Sequence, residues 1–170
     1  MKFEFSAGGI VYKNQRSKIK NQKDKILILV AQHSQHHGWV FPKGLVGDQI
    51  RGEKKEDTAV REVEEETGIK AKIIKAFIPV IYWYVFKGEK IRKTVYYFLM
   101  EYISGDIKKH DFEMENVEWL NINKVEKRLT YKSDKQVWQE AKKLILNFKF
   151  RLEGSHTCPP MAGWSSARCG

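Results

Sequence analysis

The sequence is short of cysteine and of long apolar runs. Its two cysteines, Cys158 and Cys169, lie close to the end of a 170-residue chain, so a disulfide framework is not expected. The apolar run at 26–31 is far shorter than the roughly 18–20 residues of a membrane span. The first residues, Met1–Phe5, lack the apolar stretch of a signal peptide. We therefore expect a cytoplasmic protein that is neither secreted nor inserted in a membrane.

Acidic residues are outnumbered as well. The chain has 21 Asp and Glu residues against 31 Lys and Arg residues, which gives a formal net charge of +10. A surface with this charge favours polyanionic partners such as nucleotides, polyphosphates or RNA, without requiring any one of them. The most basic segment, 13–25, is predicted to be a solvated loop between two strands, and attraction of an anionic substrate or RNA is its alternative role.

The remaining composition is that of one globular domain. Apolar residues make up 42% of the chain, and its length suffices to bury a core without disulfides or metals. We assign residues 1–150 to this domain. The stretch 151–170 changes to Gly, Ser, Pro and Cys without periodicity, so we expect a disordered or vector-derived tail there. These features predict no oligomeric state.

Residue periodicity predicts an α/β protein. Segments rich in β-branched and aromatic residues alternate with two segments of helical character. The predicted strands are 3–12, 26–31, 73–86, 91–102 and 117–120, and the predicted helices are 54–67 and 133–148. We expect residues 87–90 to join two of the strands in a long hairpin, and Gly68 to end the first helix.

Three histidines, His33, His36 and His37, lie in a polar segment that ends at Gly38. Their close spacing is compatible with a metal site, but no cysteine or acid completes a zinc ligand set. We interpret the segment as a loop that faces a substrate.

The first predicted helix carries the most informative pattern. Glu62, Glu65 and Glu66 are spaced i, i+3 and i+4, which places three carboxylates on one helical face. Their repulsion is relieved either by solvent, as on an ordinary acidic surface helix, or by a hard cation. Mg²⁺ takes oxygen ligands and keeps several waters, so such a cluster suits it when a substrate phosphate adds further oxygens.

Residues upstream of this helix extend the pattern. The stretch 47–69 fits G-x5-E-x7-R-E-U-x-E-E-x-G-U, where U is an apolar residue. The specified positions are Gly47, Glu53, Arg61, Glu62, Val63, Glu65, Glu66, Gly68 and Ile69. At usual residue frequencies such a match arises by chance in fewer than about one in 10⁸ windows. The pattern resembles the Nudix box, and the chain resembles a Nudix hydrolase over about residues 2–148.

The resemblance implies an α/β/α sandwich in which a mixed β-sheet lies between helices. It implies that Glu62, Glu65 and Glu66 bind Mg²⁺ or Mn²⁺. Arg61 would orient carboxylates by hydrogen bonding, together with Glu53. In the family a further acid beyond the box often serves as ligand or base, and Glu113 is the candidate for it here.

The implied reaction is in-line attack of a cation-activated water on the phosphorus of a phosphoanhydride. Glu62 and Glu113 are the two candidates for the base. An alternative from another class is a non-catalytic Nudix-like module that binds nucleotide or RNA. Loss of a box glutamate is the usual sign of such a module, and all of them are present in this sequence.

The loop before the box departs from the family pattern. Members commonly have the box glycine inside a Pro-Lys-Gly sequence, whereas here Pro42-Lys43-Gly44 lies three residues before Gly47. We favour a three-residue insertion in which the carbonyl of Gly44 faces the metal. The alternative is that Gly47 takes this role.

Residues outside the box bear on the substrate. Tyr82, Tyr84 and Tyr97 are candidates for stacking on adenine, although strand packing is their alternative role. Lys43 and Lys93 are candidates for binding a phosphate chain. These residues resemble those of diadenosine polyphosphate hydrolases within the family, which implies hydrolysis of diadenosine tetraphosphate to ATP and AMP. The alternatives are an oxidised-dNTP pyrophosphatase, a diphosphoinositol polyphosphate hydrolase and an RNA 5′-pyrophosphohydrolase.

Overall fold

The structure, a computed structural model, describes residues 1–15 and 25–154, with side chains up to residue 148. Most of the predicted basic loop, 16–24, and most of the predicted tail, 155–170, lie outside the described residues. Residues 151–154 continue a helix, so the domain boundary that we predicted at 150 falls inside it. The helix extends further than predicted because residues 149–153 are good helix formers up to Gly154.

Within the described residues, eight strands form one mixed sheet. The strands are β1 Lys2–Gln15, β2 Lys25–His33, β3 Trp39–Val40, β4 Lys43–Leu45, β5 Ile69–Ala76, β6 Val80–Phe86, β7 Glu89–Gly105 and β8 Met114–Asn121. Their order is β3-β2-β1-β7-β5, with β4 beside β1, β6 beside β7 and β8 beside β2. The central pair, β1 and β7, is parallel, and the other pairs are antiparallel.

The helices lie on both faces of the sheet. They are α1 Lys55–Thr67, the short α2 Val125–Arg128 and α3 Lys132–Gly154. On one face Ala59 and Val63 of α1 pack against alternate residues of the central strands, such as Val11. On the other face Val137 and Trp138 of α3 pack with a second apolar cluster. This arrangement confirms the predicted α/β/α sandwich with a mixed sheet.

The predicted strand 73–86 is wrong as a single element, because residues 77–79 separate β5 from β6. Pro79 lacks a backbone donor and is disfavoured inside a strand, so pairing resumes only at Val80. Both strands pair with β7, one after the other along its length. The hairpin turn is also shorter than predicted: Lys87 and Gly88 both have positive φ, at 50° and 79°, which is typical of a two-residue turn.

On the side of β1 away from β7, its first half pairs with β4 and its second half pairs with β2. The short β4 is thus a strand of the sheet that also lies against the carboxylate-bearing part of α1. Gly68 ends α1 in the left-handed conformation, with φ of 71°, and its N–H donates to the carbonyl of Glu64. This ending was predicted from the sequence, and it returns the chain at once into β5.

Candidate active site

An arginine organises the carboxylates of α1. The NH1 group of Arg61 donates to Oε1 of Glu62 at 2.7 Å and to Oε2 of Glu65 at 2.9 Å. Its Nε and NH2 groups bind the two oxygens of Glu53, both at 2.9 Å. Two parallel bonds of this kind fix both groups in orientation. The structure therefore brings Arg61 and Glu53 together as the sequence predicts, with Arg61 in a positioning role.

Two further residues of the loop before α1 join this network, and the sequence analysis missed both. Oδ1 of Asp48 lies 3.3 Å from NH2 of Arg61, and the amide of Gln49 donates to Glu65 at 3.2 Å. They occupy positions that the box pattern leaves unspecified, so the pattern could not predict their contacts with Arg61 and Glu65. The excess of acids around Arg61 raises its pKa and keeps it charged.

Two of the three predicted metal-binding glutamates are almost inaccessible to solvent. Glu62 is 6% exposed and Glu66 is 4% exposed. Burial raises the pKa of Glu62 to about 7, against the opposing effect of Arg61. Burial also raises the pKa of Glu66 well above its usual value, although the backbone N–H of Lys43 donates to its Oε2 at 2.9 Å. Without a further cation, burial therefore favours the protonated form of both carboxylates.

Gly44, rather than Gly47, lies against the carboxylates. A Cβ added at Gly44 would overlap the carboxylate of Glu62, so glycine at this position lets Glu62 keep its place against β4. Gly47 has a φ of 78° in a turn, and the nearest atom to an added Cβ would be the carbonyl oxygen of Ile50, at 3.8 Å. The close approach of Gly44 agrees with the three-residue insertion.

The donor set fits a hard divalent cation. Glu62, Glu65 and Glu66 offer only oxygen atoms, and ionised carboxylates in a buried site need a positive charge beside them. In residues 1–15 and 25–154, no three His, Cys, Asp or Glu side chains already surround one point as ligands. Arg61 lies between Glu62 and Glu65 in this arrangement and supplies positive charge there. A cation at these glutamates would therefore have to share them with Arg61.

A cavity of about 840 Å³ opens beside this network. It brings together six of the predicted site residues: Lys43, Glu66, Tyr82, Tyr84, Lys93 and Glu113. Its lining also includes Lys2, Glu4, His33, Gln35, His36, Val40, Phe41, Phe86, Met114, Tyr131, Lys132, Ser133 and Asp134. The wall opposite the acids thus combines aromatic rings and cations.

Glu4 holds one side of this wall in place, and no pattern in the sequence predicted this role. It accepts a hydrogen bond from the hydroxyl of Tyr84 at 2.7 Å, and it lies 3.8 Å from Nζ of Lys93. Burial lowers the pKa of Lys93, and the neighbouring Lys43 lowers it further. Two lysines that repel each other in a cavity of this kind form a binding site for an anion.

Tyr97 does not line the cavity, which corrects its predicted role in substrate binding. It is 2% exposed, lies in the apolar cluster under α3 and donates its hydroxyl proton to Oδ1 of Asp134. Lys93, which does line the cavity, lies earlier along β7 than Tyr97. The sequence alone could not tell the exposed part of this strand face from the part that α3 covers.

The histidine loop places two imidazoles in the cavity lining. The rings of His33 and His36 stack with centroids 4.2 Å apart. Nδ1 of His33 accepts from the N–H of Gln35, and Nδ1 of His36 accepts from the N–H of Gly38, each at 3.1 Å. Burial lowers the pKa of both histidines. As neutral rings with Nδ1 as acceptor, each carries its proton on Nε2 and has that N–H left as a donor.

We expect Glu62→Gln to change how the stability of the metal-free protein depends on pH. The folded-state pKa of about 7 exceeds the ordinary value of 4.5, so the Glu62 contribution to stability is greatest at low pH and falls as pH rises from about 4.5 through 7. Gln has no such dependence. In EDTA, the melting temperature of the variant should therefore rise relative to that of the wild type as the pH increases from about 5 to about 8.

The matched control is Glu64→Gln, an exposed glutamate of the same helix whose ion pair among the described side chains is with Lys70, at 3.4 Å. Its melting temperature should follow that of the wild type across the same pH range. Parallel pH profiles for Glu62→Gln and the wild type would contradict the raised pKa of Glu62.

Comparison with known proteins places these observations in a family. The sequence matches the family described as "NUDIX domain" over residues 9–144. It is 32% identical over 168 residues to the "Putative mutator protein MutT4" of Mycobacterium tuberculosis, covering 97% of this chain and 64% of that protein. This chain thus spans about two thirds of the length of that relative.

Two further similarities concern a protein named as a tetraphosphatase and one named as an Ap4A hydrolase. The sequence is 31% identical to the asymmetrical bis(5′-nucleosyl)-tetraphosphatase of Sus scrofa, over 75% of this chain and 85% of that enzyme. The fold resembles a crystal structure of a C. elegans Ap4A hydrolase binary complex, with a TM-score of 0.56 and 27% identity. That similarity covers 89% of this chain and 98% of the other.

Proposed function

The chain belongs to the Nudix family, and we propose that it hydrolyses diadenosine tetraphosphate to ATP and AMP with Mg²⁺ or Mn²⁺ as cofactor. One observation carries this proposal: Glu66 of the box shares a single cavity with the predicted substrate-binding residues Lys43, Lys93, Tyr82 and Tyr84. The cavity therefore combines groups for a cation, a phosphate chain and an aromatic base. The similarity to tetraphosphatases from Sus scrofa and C. elegans supports the choice of substrate.

Each group has a separate task in this proposal. Lys43 and Lys93 bind phosphate oxygens, and Tyr82 and Tyr84 stack on a base at the same wall. Glu62, Glu65 and Glu66, with the carbonyl of Gly44, hold the cation, and Arg61 with Glu53 keeps the carboxylates in orientation. When bound, the cation neutralises phosphate charge and acidifies water.

The proton of the attacking water passes to Glu62 or Glu113. Glu62 is a candidate because it belongs to the proposed cation site, and burial raises its pKa to about 7 when no cation is bound. Glu113 lines the cavity together with Glu66, so it can reach a water beside the phosphate chain. Water attacks one phosphorus atom, the bond from that phosphorus to the bridging oxygen breaks, and ATP and AMP leave.

A second candidate is hydrolysis of an oxidised deoxynucleoside triphosphate. It draws on the similarity to a protein named "Putative mutator protein MutT4". The same carboxylates and lysines would serve it, since the chemistry at phosphorus is the same. Diphosphoinositol polyphosphates and 5′-triphosphorylated RNA are further substrates with the charge that this surface favours.

We expect wild-type protein with Mg²⁺ to release ATP and AMP from diadenosine tetraphosphate, and Lys93→Gln to raise the KM for it. Loss of a charge-assisted hydrogen bond costs about 1.5–3 kcal/mol, which corresponds to roughly a tenfold to hundredfold rise in KM. Chromatography of the products at several substrate concentrations measures both effects.

The control is Lys143→Gln, an exposed lysine on α3, which should leave the KM unchanged. Cleavage of 8-oxo-dGTP but not of diadenosine tetraphosphate would favour the second candidate. Absence of cleavage for all four substrate classes would contradict hydrolysis and favour a module that binds nucleotides without cleaving them.

A further inference from the structure

The side of the sheet opposite the cavity has an apolar surface that no described element covers. It is formed by the first halves of β1 and β7 and by β6, and we call it the open face. Its members are Phe3, Phe5, Ile81, Trp83, Val85, Lys90 and Arg92. The five apolar side chains among them are 47–69% exposed. Helix α1 covers the same side of the sheet only further along, at Ala7 and Val11.

Strand register arranges these residues in rows. Phe3, Arg92 and Trp83 are direct cross-strand neighbours, so their side chains project from the same side of the sheet. Phe5 and Ile81 flank Thr94 in the next row, about 6.7 Å further along the strands. The alternate residues of the same strands, such as Glu4, line the cavity. The open face and the cavity are thus two sides of the same three strands.

The cations of the open face lie over its aromatic rings. The guanidinium of Arg92 is 6.0 Å from the ring centroid of Phe3, and Nζ of Lys90 is 4.9 Å from that of Trp83. Lys55 of α1 lies 4.6 Å from the ring of Tyr96, the next β7 residue on this side after Thr94. Among the described residues of these rows there is no acid. The open face is therefore both aromatic and uniformly basic.

We propose that the open face binds a single-stranded nucleic acid, separately from the cavity. Exposed aromatic rings stack on bases of any sequence, and flanking cations bind the phosphate backbone. The net charge of +10 favours the same partner. A second copy of this chain fits less well, because self-association through the open face would bring the Lys90 and Arg92 side chains of both copies together. This proposal is independent of the substrate hydrolysed in the cavity.

Fluorescence anisotropy with a labelled 5′-hydroxyl oligouridylate tests the proposal. This RNA has no phosphoanhydride to cleave, and an excess of ATP and AMP keeps the cavity filled. We expect Trp83→Ala to weaken binding about tenfold, as loss of one stacked base implies, and Lys90→Glu to weaken it at least as much. Raising the salt concentration should weaken the wild type steeply.

Matched controls separate the open face from general charge and exposure. Phe112→Ala removes an exposed aromatic ring elsewhere, and Lys143→Glu reverses an exposed charge on α3, on the opposite side of the sheet. Both should bind RNA as the wild type does. Equal weakening by Lys143→Glu would overturn the proposal, as would loss of binding when ATP and AMP are added.

Two further measurements complete the test. An oligothymidylate in the same assay distinguishes RNA from DNA, and binding of either one supports a stacking surface. Sedimentation of the free protein examines self-association. A dimer that Trp83→Ala dissociates, with no RNA binding by the wild type, would assign the open face to a second copy and overturn the proposal.

Discussion

We expect Glu66→Gln to lower kcat for the proposed substrate, diadenosine tetraphosphate, by at least about a thousandfold, because the proposed cation would stabilise the transition state by several kcal/mol and each 1.36 kcal/mol is a factor of ten. Glu66 is the most buried of the three glutamates, and it is the one of the three that lines the cavity. Gln keeps its size and its bond from the N–H of Lys43, but it carries no charge. Steady-state kinetics at saturating Mg²⁺ measure the loss.

Two controls make this result specific. Glu64→Gln, on the exposed side of the same helix, should retain wild-type kcat. Calorimetric titration with Mn²⁺ should show weaker binding for Glu66→Gln than for Glu64→Gln. Full activity of Glu66→Gln would remove Glu66 from the site, whereas lost activity with unchanged Mn²⁺ affinity would assign it a role other than holding the cation.

Gly44→Ala will have the second largest effect, with a fall in kcat/KM of about a hundredfold or more, as expected when a reacting group is displaced by about 1 Å. The added methyl group would overlap the carboxylate of Glu62, and the pairing of Gly44 with Ala7 in the sheet opposes a shift of the backbone. Either Glu62 turns away or β4 moves from α1. Kinetics, together with thermal unfolding, measure the two consequences.

Gly47→Ala and Gly52→Ala are the controls for backbone strain. Both positions have positive φ, so alanine costs about 1 kcal/mol of stability at each. Neither side chain would contact Glu62, so activity should stay within a few-fold of the wild type. If Gly47→Ala loses as much activity as Gly44→Ala, the insertion is the wrong alignment of the box.

The carboxylate site was predictable because its geometry is local. Glu62, Glu65 and Glu66 share a face through helical periodicity alone, and α1 forms within one residue of its predicted start. The pairing of Arg61 with Glu53 was implied by the resemblance to the Nudix box. Such features depend on residues within one or two helical turns, or on a short loop, and need no knowledge of the sheet.

The substrate side depends on long-range register, which a single sequence does not contain. Glu4 meets Tyr84 and Lys93 only because β1, β7 and β6 are neighbours. Tyr97 is an aromatic residue of the kind that can stack on a base, yet α3 covers the part of β7 where it lies. The break between β5 and β6 likewise had a visible cause in Pro79, but its effect was not predicted.

The parallel pairing of β1 with β7 also has a consequence for how the chain folds. Lys2 pairs with Ile91 and Tyr12 with Glu101, so the central strands of the sheet are separated by about 90 residues of sequence. Such distant contacts slow folding, because a large loop must close before the pairing stabilises it. At a synthesis rate of about 5–20 residues per second, β1 leaves the ribosome roughly 5–20 s before β7. During that interval β1 can pair with β4 and β2 on one side, but its edge toward β7 stays unpaired. The nascent chain therefore depends on its own charge, or on chaperones, to avoid aggregation through that edge.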